Sequence, residues 1–134
     1  MKKENSSHSL LFEKLGELFY AIAAVDKKVH EQEFDALRQF VTGKWKKLEN
    51  SQDPFETNAV YQMEIVFSWF DYKDKDAWEC FESFRHFKKT HEHLFTQQRN
   101  DLFLKTASAI ANACFFKYQQ RKYHQHDGKI RKFR

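Results

Sequence analysis

Two carboxylates seven residues apart, Asp26 and Glu33, are the residues of this chain best placed to do chemistry. Asp26 follows the apolar run Leu18-Phe-Tyr-Ala-Ile-Ala-Ala-Val25, and Glu33 falls in the first turn of the amphipathic segment that comes next. Facing carboxylates at a helix–helix connection are suited to a divalent cation. Calcium takes six or more oxygens and magnesium an octahedron partly filled by water, so two carboxylates need help. Glu31 and Asp35 are near in sequence, and Asp71, Asp74 or Asp76 could add oxygens from the second half of the chain. A second role needs no metal. Glu33 stands at the third helical position, where its side chain can reach back to the N-cap amide. Asp26 can accept from the free amides that open the same helix, where negative charge is favoured. Capping is the better supported of the two roles, because it asks nothing of distant residues.

The other reactive side chains form no catalytic constellation. His91-Glu-His93 and His124-Gln-His126 place imidazoles two residues apart, a spacing that diverges on a helix and differs from the i, i+4 pairing of helical zinc sites. Cys80 and Cys114 lie in apolar surroundings at a spacing that matches no metal or redox motif, as expected of buried structural thiols. There is no glycine-rich phosphate loop and no nucleophile in a turn beside a base. The chain is expected to be no enzyme.

The elements that must position these residues are helical. Apolar side chains at Leu11, Leu15, Leu18, Phe19, Ile22 and Val25 predict a helix from about Ser9 to Val25. Phe34, Leu37, Phe40, Val41, Trp45 and Leu48 predict a second, from near His30 to about Asn50. Asp53-Pro54 is a stop and restart, a cap residue followed by proline at a first helical position. A third helix carries Val60, Met63, Val66, Phe67 and Phe70 as one stripe, with Ile65 and Trp69 beside it. After the alternating charges of Asp71–Asp76 a fourth helix shows Ala77, Cys80, Phe81, Phe84 and Phe87. A polar connector anchored by Leu94 and Phe95 leads to a last long helix with Leu102, Phe103, Ala107, Ile110, Ala111 and Cys114. No segment alternates as a strand does. The expected fold is all-α, one domain over residues 1–134 with about five helices.

With only three Gly and one Pro among 134 residues, the chain lacks the turn residues of an all-β fold. Fifteen Phe and three Trp make the core aromatic, and so many rings leave some for an interface. Charge is unevenly placed. From Lys117 onward seven basic residues face one acid, net +6, leaving sixteen basic and eighteen acidic residues elsewhere, net −2. The basic tail, about residues 121–134, interleaves Arg121, Lys122, Lys129, Arg131, Lys132 and Arg134 with Tyr123 and Phe133. Such a tail suits phosphate backbones or an anionic membrane surface, and it equally suits a solvated terminus ending near Asp127-Gly128. The N-terminal run is broken by Glu13, Lys14 and Glu17, unlike a signal peptide or membrane span, so a cytoplasmic location is expected.

A weak internal repeat aligns Glu33-Phe-Asp-Ala-Leu-Arg-Gln-Phe40 with Cys80-Phe-Glu-Ser-Phe-Arg-His-Phe87 at an offset of 47 residues. Two pseudo-repeated helix pairs follow from it, with Lys73 in the place of Asp26 and Cys80 in that of Glu33. Only the first pair keeps its carboxylates.

Over Ala23-Ala-Val-Asp26-Lys-Lys-Val29-His-Glu-Gln-Glu33 the chain resembles the TerB-like family, the tellurite-resistance TerB domain and its relatives. Asp26, Val29 and Glu33 sit where that family has a helix-ending aspartate, a branched apolar spacer and a helix-opening glutamate. Lys27 replaces the family's usual glycine, and His30 stands where a Ser or Thr cap is common. The resemblance covers the first helix pair. It implies an all-α bundle, association with stress-response or membrane-linked complexes, and a divalent-cation site on acidic residues, here Asp26 and Glu33. The resulting expectation is a non-enzymatic helical module for protein interaction or stress response, with another protein or a second copy as partner. The alternative is an anion-binding module whose basic tail meets nucleic acid or a membrane surface.

Overall fold

Residues 15–21 are buried without interruption, so the first helix is covered on every side and forms the axis of the fold. The computed structural model describes the backbone of residues 2–25, 29–49 and 59–125, and the side chains within 9–25, 29–49 and 59–113. That first helix, α1 (Lys2–Ala24), begins earlier than the apolar periodicity predicts. Residues 2–8 carry no apolar stripe, but extending an existing helix costs far less than starting one.

Helix α2 comprises α-helical Glu31–Phe40, a π-helical turn over Val41–Trp45 and a closing α-helical piece Lys46–Leu48. The wide turn has a packing cause. Glu33, Leu37, Val41 and Trp45 are all buried at steps of four. In a regular α-helix each such step overshoots a full turn by about 40°. A π turn advances less per residue, so it returns Trp45 to the buried side. Asp53-Pro54, the expected restart, lies outside the described residues.

Helix α3 (Gln62–Lys73) packs along α1 in the same direction, with Met63 beside Gly16 and Phe67 beside Tyr20. Gly16 is required by this closeness: a Cβ there would lie 2.6 Å from the Met63 carbonyl oxygen. Helix α4 (Ala77–Thr90) returns antiparallel on another side of α1, and a short 3₁₀ turn, Glu92–Leu94, leads into α5 (Gln97–Gln125). Thr96 opens α5 by accepting the Arg99 amide on its hydroxyl. The described residues contain no strand, as the sequence predicts.

Rings fill the space between helices. Phe84, Phe95 and Phe103 contact one another where α4 meets α5, and Phe12 meets Trp45 edge-on at 6.0 Å. Polar side chains at the edge of the core tie helices together. Glu17 accepts from Ser83 at 3.1 Å and from Lys14 at 3.2 Å, tying α1 to α4. Arg99 clamps Glu49 with two hydrogen bonds and gives a third to the Leu94 carbonyl, holding the start of α5 to the end of α2.

The two segments aligned by the repeat share much of their burial pattern. Glu33 and Cys80 are both buried, as are Leu37 and Phe84, while Asp35, Arg38 and Gln39 are exposed like Glu82, Arg85 and His86. The first position of each segment faces the core, and Cys80 takes the place that Glu33 has in α2.

Candidate functional site

Glu33 is fully buried, and its Oε1 accepts the His30 amide at 2.6 Å. His30 is the N-cap of α2 with extended backbone, so the reach-back of a capping box is in place. Asp26, its expected partner in a cation site, lies outside the described residues. Among the described residues no three His, Cys, Asp or Glu side chains form a group able to hold a metal ion. Cys80 is a free, buried thiol, its pKa pushed up to about 11 by burial and by the Glu17 carboxylate. A thiol held protonated is a poor nucleophile. Cys114 and the basic tail fall among side chains outside the described set. His91 stacks on Phe87 at 4.2 Å and its ring lies 6.2 Å from that of His93, and among the described residues no third metal-binding side chain groups with them.

The acidic residues that the structure does bring together are Asp71, Asp74 and Asp76, at the corner where α3 turns into α4. Helix α3 ends in a Schellman motif: the Lys75 amide donates to the Phe70 carbonyl and the Asp74 amide to that of Asp71, both at 3.1 Å. The motif puts Asp74 in left-handed backbone, φ 56°, where glycine is the usual residue and aspartate a tolerated one. Asp76 then caps α4 by accepting the Glu79 amide at 2.9 Å. Backbone geometry thus favours Asp74 and cap geometry Asp76, and Asp71 falls in the same six-residue stretch. Burial, and then the charge of Asp74, raise the Asp71 carboxyl above its ordinary value.

This corner abuts the end of α1. Tyr20, buried in the core, donates its hydroxyl to the Lys75 carbonyl at 2.6 Å. Burial and the Asp74 charge push its pKa up to about 12. A concavity of about 520 Å³ lies between Tyr20, Val25, Val29, Asp71, Asp76 and Trp78. On the other side of Asp71 a smaller hollow runs between Tyr72 and the start of α2 at His30 and Glu31.

Large apolar side chains stand exposed around the corner. Ile65, Trp69 and Tyr72 follow each other at i, i+4 and i+7 along the outer side of α3, 56%, 54% and 81% exposed, and Trp78 at the start of α4 is 65% exposed. Trp69 stacks on Tyr72 at 6.0 Å, and Lys73 lies over the Trp69 ring. In sequence Ile65 and Trp69 read as companions of the core stripe. Their spacing with Tyr72 shows a second, opposite stripe, which the charged alternation around Tyr72 conceals.

Among the described residues no helix is long and apolar enough to cross a membrane. No known protein family, characterised protein or solved structure matches the chain.

Proposed function

We propose that this chain is a non-catalytic helical interaction module that docks another protein on the outer side of α3 and the adjoining start of α4. The exposed row Ile65, Trp69, Tyr72 and Trp78 carries the proposal. Among the described residues these four side chains leave large apolar area in water, while the other Phe, Tyr and Trp rings are buried or half-buried. Fully burying each against a partner contributes about 1.5–3 kcal/mol, and Trp and Tyr are the side chains most enriched where binding energy concentrates. A role in stress response comes to the chain only through its resemblance to the TerB-like family.

The test is a surface variant, Ile65→Ser with Trp69→Ser and Tyr72→Ser. The proposal expects it to unfold within about 1 kcal/mol of the parent, because surface changes away from packing features cost little. It is further expected to lose the discrete protein that the parent retains under native purification. Retention of that protein by a folded variant would contradict the docking role.

A further inference from the structure

The exposed apolar row on α3 has the spacing of a helix-packing seam and lies in acidic surroundings. Ile65, Trp69 and Tyr72, at i, i+4 and i+7, occupy the positions by which one helix packs against another. The row runs about 10 Å, two helical turns. Beside it a hollow of about 370 Å³ separates Ser68 and Tyr72 from the start of α2, with Phe34 and Phe67 in its wall. A helix presents no open hydrogen-bonding edge, so an extended peptide gains little here. The ridge of a second helix, in contrast, fits between the row and the start of α2.

Charge selects among such helices. Between Asp71 and Glu79 the four carboxylates of Asp71, Asp74, Asp76 and Glu79 stand exposed against two lysines, net −2. Glu31 adds a further acid on the far wall of the hollow. The two lysines lie over the bundle's own rings, Lys73 over Trp69 at 5.1 Å and Lys75 over Phe70 at 5.6 Å. Tyr72 and Trp78 stand exposed among the carboxylates, and a ring face attracts the same cation that a neighbouring carboxylate pairs. Toward the Ile65 end charge is balanced, with Arg38 set against Glu64 and Asp35. A partner with acidic flanks meets like charge along the C-terminal half of the row, whereas one with Lys or Arg flanks meets opposite charge.

We infer that the partner docked on α3 is a basic amphipathic helix of another protein. Its apolar side chains lie against Ile65, Trp69 and Tyr72, and its Lys or Arg side chains lie against Asp71, Asp74, Asp76 and Glu79. The cations belong at the end of that helix which lies over the α3–α4 corner. This inference rests on the docking reading of α3 and adds the chemistry of the partner.

Isothermal titration calorimetry of the full chain tests it with two synthetic helical peptides of about five turns, both with the same leucine face. One carries lysine on its flanks and the other glutamate. The lysine peptide should bind at least about tenfold tighter at low ionic strength, and about 0.5 M salt should remove most of the difference. The variant with Ile65→Ser, Trp69→Ser and Tyr72→Ser should lose the lysine peptide. A variant with Asp71→Asn, Asp74→Asn and Glu79→Gln, which leaves the Asp76 cap intact, should lower the preference to about threefold or less. Equal affinity for the two peptides, both lost in the row variant, overturns the basic partner and leaves the docking role standing. Binding of the lysine peptide that survives the row variant, or ignores the three neutralised acids, overturns the inference by placing the attraction elsewhere on the chain. Failure of both peptides to bind also overturns it, while the docking role is still judged by partner retention. A dimer of the parent that sedimentation detects and the row variant abolishes would assign the row to a second copy, and that too overturns it.

Discussion

Trp45 donates its indole N–H to the hydroxyl of Thr106 at 2.9 Å, deep between α2 and α5, and Thr106 donates onward to the Leu102 carbonyl at 2.7 Å. Both side chains are fully buried. The pair shows how the bundle handles a polar atom that its aromatic core must contain. The π turn that orients Trp45 toward the core also brings its N–H to the Thr106 hydroxyl on α5.

Thr106→Val keeps the volume of that site and removes the acceptor. It should cost about 1–3 kcal/mol, the penalty of leaving a buried donor unpaired. Urea unfolding of the variant and parent measures it. A loss below about 0.5 kcal/mol would mean that the indole finds another acceptor.

Two glycines should respond in opposite directions. Gly16→Ala pushes a methyl into the Met63 backbone, and overpacking of this kind costs about 1–3 kcal/mol. Gly43, inside the π turn of α2, has open space where a Cβ would stand. Gly43→Ala should raise stability by about 0.5–1 kcal/mol through helix propensity and a stiffer unfolded chain. Thermal unfolding of the two variants checks both signs.

Asp74 holds a left-handed conformation that glycine adopts without steric cost. Asp74→Gly should therefore leave stability unchanged or raise it by up to about 1 kcal/mol, while Asp74→Val should lower it by about 1–2 kcal/mol. A matched loss in both variants would place the value of Asp74 in its carboxylate rather than its backbone.

Tyr20 links stability to pH. Its folded pKa, about 12, is above the ordinary tyrosine value of 10.0, so the neutral phenol is the form the fold favours. The stabilisation is complete below pH 10 and is lost as the pH rises from 10 through 12. Tyr20→Phe removes the group. The stability gap between parent and variant should therefore shrink across that window, and denaturant unfolding at pH 9, 10.5 and 11.5 follows it. A gap that stays constant over those three values would sink the assignment.

Glu33 separates capping from cation binding by a conservative change. Its Oε1 accepts the His30 amide, and a glutamine carbonyl can do the same. Glu33→Gln should retain most of the stability, and Glu33→Ala should lose about 0.5–2 kcal/mol, the usual worth of a helix cap.

The helices were legible because their apolar residues recur at helical spacing, and Leu15, Phe19, Leu37, Met63, Phe67, Phe84 and Ile110 are all core residues. Three features were not. The π turn in α2 depends on keeping Trp45 inside, which propensity does not encode. Glu17 reads as a break in an apolar run, yet it is a buried partner of Ser83, 66 residues away. The exposed row is a tertiary fact: Ile65 and Trp69 have core-like side chains, and the packing of α3 on α1 decides which side of α3 is inside. At the helix connection, Glu33 was legible as a cap because a capping box is local in sequence.

The most direct measurement of the docking claim is in-cell photo-crosslinking from single positions. A photoreactive residue at Tyr72 should give one discrete adduct with another protein, and the same residue at Gln39, exposed on α2, should give none. Trp69→Ala in the Tyr72-labelled chain should cut the adduct about tenfold, as expected when about 1.4 kcal/mol of binding energy is removed. Equal adducts from positions 72 and 39, or a yield indifferent to Trp69, would contradict the account.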